Sequence, residues 1–214
     1  ENASKYFEKA KLFRGKRERL HRAMSRVREK ISAESVRAER KALSSLPHKK
    51  RKKEWFEKFH WFFTSNGLLV IGGRDVESNE QIVKKHLEEG DLYFHADIHG
   101  ASHCVLKTRD NVAPRQSMEE AASFAGIFSR AWEQGIPVDV YAVLPLQVSK
   151  KAPSGEFVGK GAFIISGGRT WFKNPSMHFG VSVDELGGFG RIVSGPLECI
   201  RQRHAFCVEV VQGS

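Results

Sequence analysis

The chain has 214 residues, 40% of them hydrophobic, which is enough for one core of ordinary domain size. No apolar run approaches the roughly 20 residues of a membrane-spanning helix, so no membrane partner is expected. The net charge is +10, but residues 1–60 contain 20 Lys and Arg against 8 Asp and Glu, whereas residues 61–214 contain 15 against 17. The N-terminal segment should therefore attract a polyanion such as RNA first, and an RNA site on the remainder has to be a local patch.

The three cysteines, Cys104, Cys199 and Cys207, are an odd number without zinc-ligand spacing, which argues against a disulfide framework. A reducing, cytoplasmic setting is expected. No apolar stretch follows the charged N-terminus as a signal peptide requires. Because the chain starts at Glu1 and stops at Ser214 just after an apolar run, we expect a fragment of a longer protein.

Residues 3–46 are predicted to form one long helix that ends at Pro47. Apolar residues recur at alternating spacings of three and four, which is typical of a coiled-coil seam. The seam comprises Tyr6, Ala10, Phe13, Leu20, Met24, Val27, Ile31 and Ala38, with polar breaks at Arg17 and Glu34. The basic run 49–53 follows, either as a nuclear signal or nucleic-acid contact or as a solvated helix end.

The remainder is predicted to be α+β: a mixed, mainly antiparallel sheet with packed helices, preceded by the long basic helical or coiled-coil arm. Asn66-Gly67 predicts a type I′ hairpin turn, and Ser117 with Glu120 predicts a capping box at a helix start. The other predicted elements are helices over 79–89 and near 196–203, and strands over 92–98, 102–107, 138–144, 162–165, 178–183 and 206–211.

The stretch 91–100 is unusual because, as a strand, it alternates polar and apolar residues. One face would hold Asp91, Tyr93, His95, Asp97 and His99, and the other face is apolar and suited to a core. Such a polar face indicates either a site for chemistry or a recognition surface.

A metal site is one alternative, because His95, Asp97 and His99 are metal-ligand types. Alternate strand residues lie about 6–7 Å apart, so the two histidines could share an ion only if the chain bends sharply near Gly100. A metal-dependent hydrolase or RNA-processing enzyme would follow. A coiled-coil protein-interaction module is the other alternative.

Basic and aromatic residues cluster again between residues 150 and 173. Lys150, Lys151, Lys160, Arg169 and Lys173 occur there with Trp171 and Phe172 interleaved. Lysines beside aromatic rings suit phosphate contacts combined with stacking on unpaired bases. The alternative is a set of ordinary charged hairpins.

Several ordered blocks together resemble the NFACT-R domain, the RNA-binding module of the NEMF/RqcH family of ribosome-associated quality-control factors. The blocks are Trp55 to Phe62, Gly72-Gly73-Arg74-Asp75 with Asn79-Glu80, His95-Ala96-Asp97 with His99-Gly100-Ala101, Glu120-Ala121-Ala122 with Ala131-Trp132, and Gln147 to Phe157. Asn2-Ala3 with Tyr6-Phe7 also resembles the start of the family's coiled-coil segment.

The resemblance covers about residues 1–185 and implies a helical arm at 1–48 and an RNA-binding domain at 49–214, of which the last 25 or so residues show little family pattern. It implies that full-length relatives bind large ribosomal subunits obstructed by peptidyl-tRNA and support C-terminal tailing of the stalled chain. The implied partners are tRNA, rRNA and that subunit, with a coiled-coil partner or the rest of the full-length protein. No catalytic residue, metal or other cofactor is expected, because the ribosome would form the peptide bonds.

The RNA contacts expected from these patterns lie in two parts of the domain. They are Arg74, Asp75, Asn79, Tyr93, His95, Asp97, His99, Lys150, Lys151, Ser154 and Arg169. Lys150 and Ser154 are the first candidates for phosphate contact. Arg74 and Asp75 have an alternative role as a structural ion pair behind a glycine turn.

Overall fold

The computed structural model describes residues 2–45, 52–108, 112–151, 158–186 and 189–212. The chain divides into two compact units, Glu1–Arg51 and Lys52–Ser214. The predicted boundary at residues 48 and 49 lies outside the described residues, as do Pro47 and most of the basic run. Nowhere in the described ranges is there a helix with the length and apolar character needed to cross a bilayer.

The described residues of the first unit form the helix α1, over Asn2–Ser45, which confirms the predicted long helix. Its apolar side chains at Tyr6, Phe13, Leu20 and Ile31 are all exposed. The helix therefore carries the predicted apolar seam on its surface.

The second unit is built around a six-stranded sheet with the strand order β1-β2-β4-β3-β5-β8, in which every pair is antiparallel. Its strands are β1 (His60–Phe63), β2 (Leu69–Gly72), β3 (Leu92–Ala96), β4 (Cys104–Leu106), β5 (Val140–Val143) and β8 (Thr170–Phe172). A two-stranded sheet pairs β6 (Val148–Ser149) with β7 (Ile164–Ile165). The α+β prediction is confirmed.

The main sheet buries both of its faces, because period-two alternation places large side chains on each. On one face, Phe62, Phe94 and Leu106 pack against Phe124 of α3 (Arg115–Ile127). The other face packs under a second apolar layer. Its members are Phe56, Phe59, Trp61, Ile71, Ile82, Tyr93, Val105, Tyr141, Val143 and Val193.

The predicted alternation holds within β3, where Leu92 and Phe94 face the core under α3 and Tyr93 faces the second apolar layer. Asp91 is buried and accepts hydrogen bonds from Lys107 Nζ and the backbone N–H of Thr108, which ties β3 to the end of β4. Tyr93 is 1% exposed and belongs to the core. The strand ends at Ala96, so neither Asp97 nor His99 lies on it.

The hairpin between β1 and β2 forms as predicted, but its turn is not type I′. Gly67 has φ +80°, whereas Asn174 is the only described residue other than glycine with a positive φ. The N–H of Gly67 donates to Thr64 O, and the N–H of Thr64 donates to Leu68 O. The loop is consequently longer than a two-residue type I′ turn allows.

Two helices begin and end away from their predicted positions. Helix α2 (Val76–Gln81) starts after Asp75, whose Oδ1 accepts a hydrogen bond from the N–H of Ser78. It continues as a π-helical turn over Ile82–His86. Helix α3 begins at Arg115, because Ser117 Oγ is bonded to Thr64 and Asn66 instead of capping the helix. A separate helix, α4 (Arg130–Gln134), follows after Ser129.

The C-terminal part adds a three-stranded antiparallel sheet and one helix. The sheet has the order β10-β9-β11, with β9 over Phe179–Leu186, β10 over Phe189–Pro196 and β11 over Val208–Val210, and helix α5 covers Leu197–Arg203. Strand β10 lies against β1: a Cβ at Gly195 would meet the Phe62 ring at 3.0 Å. The long hairpin thus covers one edge of the main sheet, and β8 forms the other.

Candidate functional site

A cleft of about 970 Å³ opens where the chain leaves β3, enters β4 and passes the start of α4. It contains six of the predicted RNA contacts: Arg74, Asp75, Asn79, Tyr93, His95 and His99. It also contains His60, His103, Arg130, Lys160 and Phe163. We call it the histidine cleft.

A row of aromatic rings forms the floor of the histidine cleft. The ring of His103 lies 5.0 Å from that of His95 and 5.4 Å from that of Phe163. Tyr141 continues the row, 5.8 Å from His95, and Trp171 on the edge strand follows at 5.5 Å. These distances are typical of packed ring pairs, so the row crosses the sheet from β4 to the edge.

Three histidines of the cleft, His60, His95 and His103, are neutral at pH 7. Burial lowers the pKa of His95 to about 4. Burial, together with the neighbouring His95, lowers the pKa of His103 to about 3. His60 stacks on Phe128 at 3.9 Å, and burial with the adjacent Arg74 guanidinium lowers its pKa to about 4. Each neutral imidazole offers one hydrogen-bond donor and one acceptor instead of a charge.

Three exposed arginines surround this ring row without a carboxylate partner. In the described part of the chain, Arg74, Arg130 and Arg169 have no Asp or Glu oxygen within 4.0 Å, although Arg74 Nη2 donates to Phe59 O. Arg169 instead lies over the Tyr141 ring at 4.5 Å. Of the other described arginines of the domain, Arg115, Arg191 and Arg201 are paired with Glu119, Asp184 and Glu198, and Arg203 donates to Thr64 O. Unpaired guanidinium groups are free to bind phosphate.

The predicted lysine contacts differ in their surroundings. Lys150 is half-buried, with Nζ 3.0 Å from Glu80 Oε2, 2.9 Å from Gly159 O and 4.6 Å from the Phe163 ring centroid. Lys151 is exposed. Ser154 lies outside the described residues. Lys160 lines the cleft and is paired with Glu77 at 2.8 Å.

Asn79 holds the wall of the cleft together. Its Oδ1 accepts from the backbone N–H of His103 at 3.0 Å, and a Cβ at Gly73 would lie only 1.9 Å from that oxygen. Arg74 and Asp75 do not form an ion pair in the described structure, because Asp75 caps α2. Bonds from Ser78 lower the pKa of the Asp75 carboxyl.

The metal-ligand types on this stretch do not converge on a common point. Gly100 does bend the chain, with φ +81°, and brings His99 into the cleft with His95. Asp97 is exposed beyond the end of β3 and does not line the cleft. Within the ranges that the structure describes, no group of three or more His, Cys, Asp or Glu residues is arranged to hold a metal ion. The three cysteines are free thiols.

A model of the NFACT protein RNA-binding domain matches residues 58–167, which include β1 to β7, both walls of the histidine cleft and the half-buried Lys150. The chain belongs to the NFACT RNA-binding domain family. The match confirms the resemblance found in the sequence.

Curated relatives of this NFACT domain carry ribosome quality-control names. The archaeal Rqc2 homolog aRqcH of Methanocaldococcus jannaschii is 40% identical over 72% of this chain and 23% of its own length. The ribosome quality control complex subunit NEMF of Mus musculus is 38% identical over 85% of this chain and 17% of its own length. The chain thus spans about a fifth of the length of these relatives.

A solved structure also overlaps with the NFACT domain. It is the C-terminal part of the fibronectin/fibrinogen-binding protein from Streptococcus suis, at a TM-score of 0.46 and 23% identity, over 59% of this chain and 48% of that one.

The cleft residues that were absent from the expected RNA contacts include His60, His103, Arg130, Tyr141, Lys160 and Phe163. His60 lies in the block Trp55 to Phe62 that resembles the family, but neither His60 nor His103 was assigned a contact. No sequence pattern around Arg130 indicates an RNA contact. Its guanidinium reaches the cleft because α4 packs beside the turn at Gly100, where a Cβ would lie 3.2 Å from Arg130 Nε.

Proposed function

We propose that this chain is an RNA-binding fragment of a ribosome quality-control factor, and that its domain binds RNA across the histidine cleft and the adjoining edge strand. The observation that carries the proposal is the set of exposed, unpaired arginines, Arg74, Arg130 and Arg169, around a row of aromatic rings. Guanidinium groups bind phosphate through two parallel hydrogen bonds, and rings stack on unpaired bases. Family membership supports the same reading.

The edge strand β8 extends this surface beyond the cleft. Trp171 is 40% exposed, with Lys173 Nζ 5.1 Å from its ring centroid and Arg169 beside it at 5.8 Å. Phe172, the residue between these side chains, points to the opposite face and packs against the core cluster under α3. Alternation along β8 therefore presents two cations and an indole to the same side as Tyr141.

The more specific roles are part of the proposal and rest on the family resemblance. The RNA partners are tRNA and rRNA on a large ribosomal subunit that still carries peptidyl-tRNA. There the factor supports C-terminal tailing of the stalled chain in the cytoplasm. The chain contributes binding and no catalytic residue, since the ribosome forms the peptide bonds. We place the arm at 1–48 and the RNA-binding domain at 49–214, and the basic arm supplies long-range attraction.

The predicted contact residues divide into those that touch RNA and those that support neighbouring groups. Arg74, Arg169, Lys151 and His99 are exposed and reach RNA directly, and His95 does so from the floor. Asp75, Asn79, Tyr93 and Lys150 hold neighbouring groups in place. Asp97 adjoins the cleft, and Ser154, outside the described residues, remains a proposed phosphate contact.

A salt series on the full chain with tRNA and rRNA fragments tests the proposal. Replacing Arg74 and Arg169 by alanine should flatten the slope of log K against log salt by about 1.5, because two phosphate contacts are lost. The charge-matched control is the double variant Arg115→Ala with Arg201→Ala, whose arginines are paired with acids. Equal slopes for both double variants would remove the ring row from the RNA interface.

A further inference from the structure

The histidine cleft is concave, and its floor is made of uncharged rings. His95, His103, Tyr141 and Phe163 lie on the floor, while the exposed cationic groups stand at its rim. In paired A-form RNA the bases are stacked inside the helix, and side chains reach base faces only where bases are unpaired and splayed out.

We propose that the histidine cleft receives one unpaired nucleotide of the bound RNA, with its base against the ring floor and its phosphate on Arg130 at the rim. This inference rests on the proposed RNA-binding function and specifies which feature of the RNA the cleft recognises.

The position of Arg130 supports its role at the rim. It is the first residue of α4, it is exposed, and its guanidinium makes no hydrogen bond or ion pair with another described residue. Across from it, Gly100 turns the chain with φ +81°, and a Cβ there would lie 3.2 Å from Arg130 Nε. The exposed His99 precedes this turn and lines the same mouth. The rim thus offers a guanidinium fork for phosphate and an imidazole that is free of partners in the described structure.

The floor suits a base because its polar groups are fixed and neutral. Tyr93 Oη is bonded to His103 Nδ1 at 2.7 Å, which holds the His103 ring in one orientation. Burial keeps the imidazoles of His95 and His103 uncharged at pH 7. Every base has a face that can stack on such rings. The cleft, at about 970 Å³, is large enough for one nucleotide.

Two RNA hairpins that differ by one nucleotide test the inference on the full chain. One hairpin is fully paired, and the other carries a single bulged 2-aminopurine, whose fluorescence falls when the base stacks on a ring. We expect the bulged hairpin to bind about tenfold more tightly, with quenched fluorescence. Arg130→Ala should remove most of the preference for the bulged hairpin, and Arg130→Lys should keep part of it. Phe163→Leu should remove the fluorescence quenching while the fold is kept. Arg115→Ala, which loses an equal charge elsewhere, should change neither.

The outcomes separate the two proposals. Equal affinity for both hairpins, or unchanged 2-aminopurine fluorescence, would overturn the nucleotide cleft and leave the wider RNA interface standing. A preference that survives Arg130→Ala and Phe163→Leu in full would overturn it as well. No binding of either hairpin would overturn both proposals and assign the cleft to a protein ligand.

Discussion

The hydroxyl of Tyr93 lies 2.7 Å from Nδ1 of His103, and this hydrogen bond joins β3 to the start of β4 beneath the histidine cleft. Tyr93 is 1% exposed. Its hydroxyl has its partner inside the protein, so Tyr93 supports the cleft from below.

We expect Tyr93→Phe to lower the free energy of unfolding by about 1–3 kcal/mol, because a buried imidazole nitrogen loses its partner. Chemical denaturation measures the change. The affinity for RNA of the folded variant should match that of the parent chain. A loss of affinity without a loss of stability would instead make the hydroxyl a direct RNA contact.

Lys150 and Lys151 should respond differently to substitution, although they are neighbours in the sequence. Lys150 bridges Glu80 and Gly159 O, so Lys150→Met should lower the free energy of unfolding by about 1.5–3 kcal/mol, the usual range for a charged hydrogen bond. Lys151→Met should leave stability unchanged and reduce the salt slope of RNA binding by about 0.8. Denaturation and binding isotherms on both variants check this. If Lys150→Met changes the slope and spares stability, Lys150 binds phosphate after all.

The neutral histidines should make the domain sensitive to acid. The folded pKa values of His60 and His95 are about 4 and that of His103 is about 3, all below the ordinary value of 6.5. The unfolded chain therefore binds more protons, and stability that is complete above pH 6.5 is lost as pH falls from 6.5 towards 4. Each of these histidines contributes up to about 1.4 kcal/mol per pH unit in that window.

Urea denaturation between pH 6.5 and 5 measures this dependence, above the range in which most carboxyl groups titrate. His60→Phe keeps the stacking on Phe128 and removes one titrating group, so its stability should depend less steeply on pH. Identical pH dependence of the parent chain and the variant would show that His60 is not held neutral by the fold.

Gly73 should tolerate no side chain. A Cβ at this position would lie 1.9 Å from Asn79 Oδ1 and 2.9 Å from the Asn79 backbone nitrogen. Gly73→Ala should displace Asn79 from the N–H of His103 and lower the free energy of unfolding by about 1–3 kcal/mol or more. Gly159→Ala is the matched control, because nothing lies within 4 Å of its Cβ. Similar thermal midpoints for the two variants would contradict this account of the cleft wall.

Much of the architecture was predictable from the sequence because it depends on local patterns. The alternation in 91–99 predicted β3, the recurrence of apolar residues in 3–46 predicted α1, and Asn66-Gly67 predicted the first hairpin. The predicted ends of helices were wrong where a side chain bonds a residue that is distant in the sequence. Ser117, expected to cap α3, is bonded to Thr64 and Asn66 in the hairpin loop. Strand β8 was missed because its three residues are too few to show a period, and β10 because its glycines interrupt the pattern.

By itself, the sequence determined the α+β class, the basic helical segment and the family, since these rest on composition, local period and ordered blocks of residues. Only the tertiary structure decided which groups share a site. It buried Tyr93, paired Lys150 with Glu80, and brought Arg130 beside Gly100. The physical reason is that pairing and burial depend on which strands and helices become neighbours. In the stretch 91–99, a second apolar layer covers Tyr93 on the face that the sequence had assigned to chemistry or recognition.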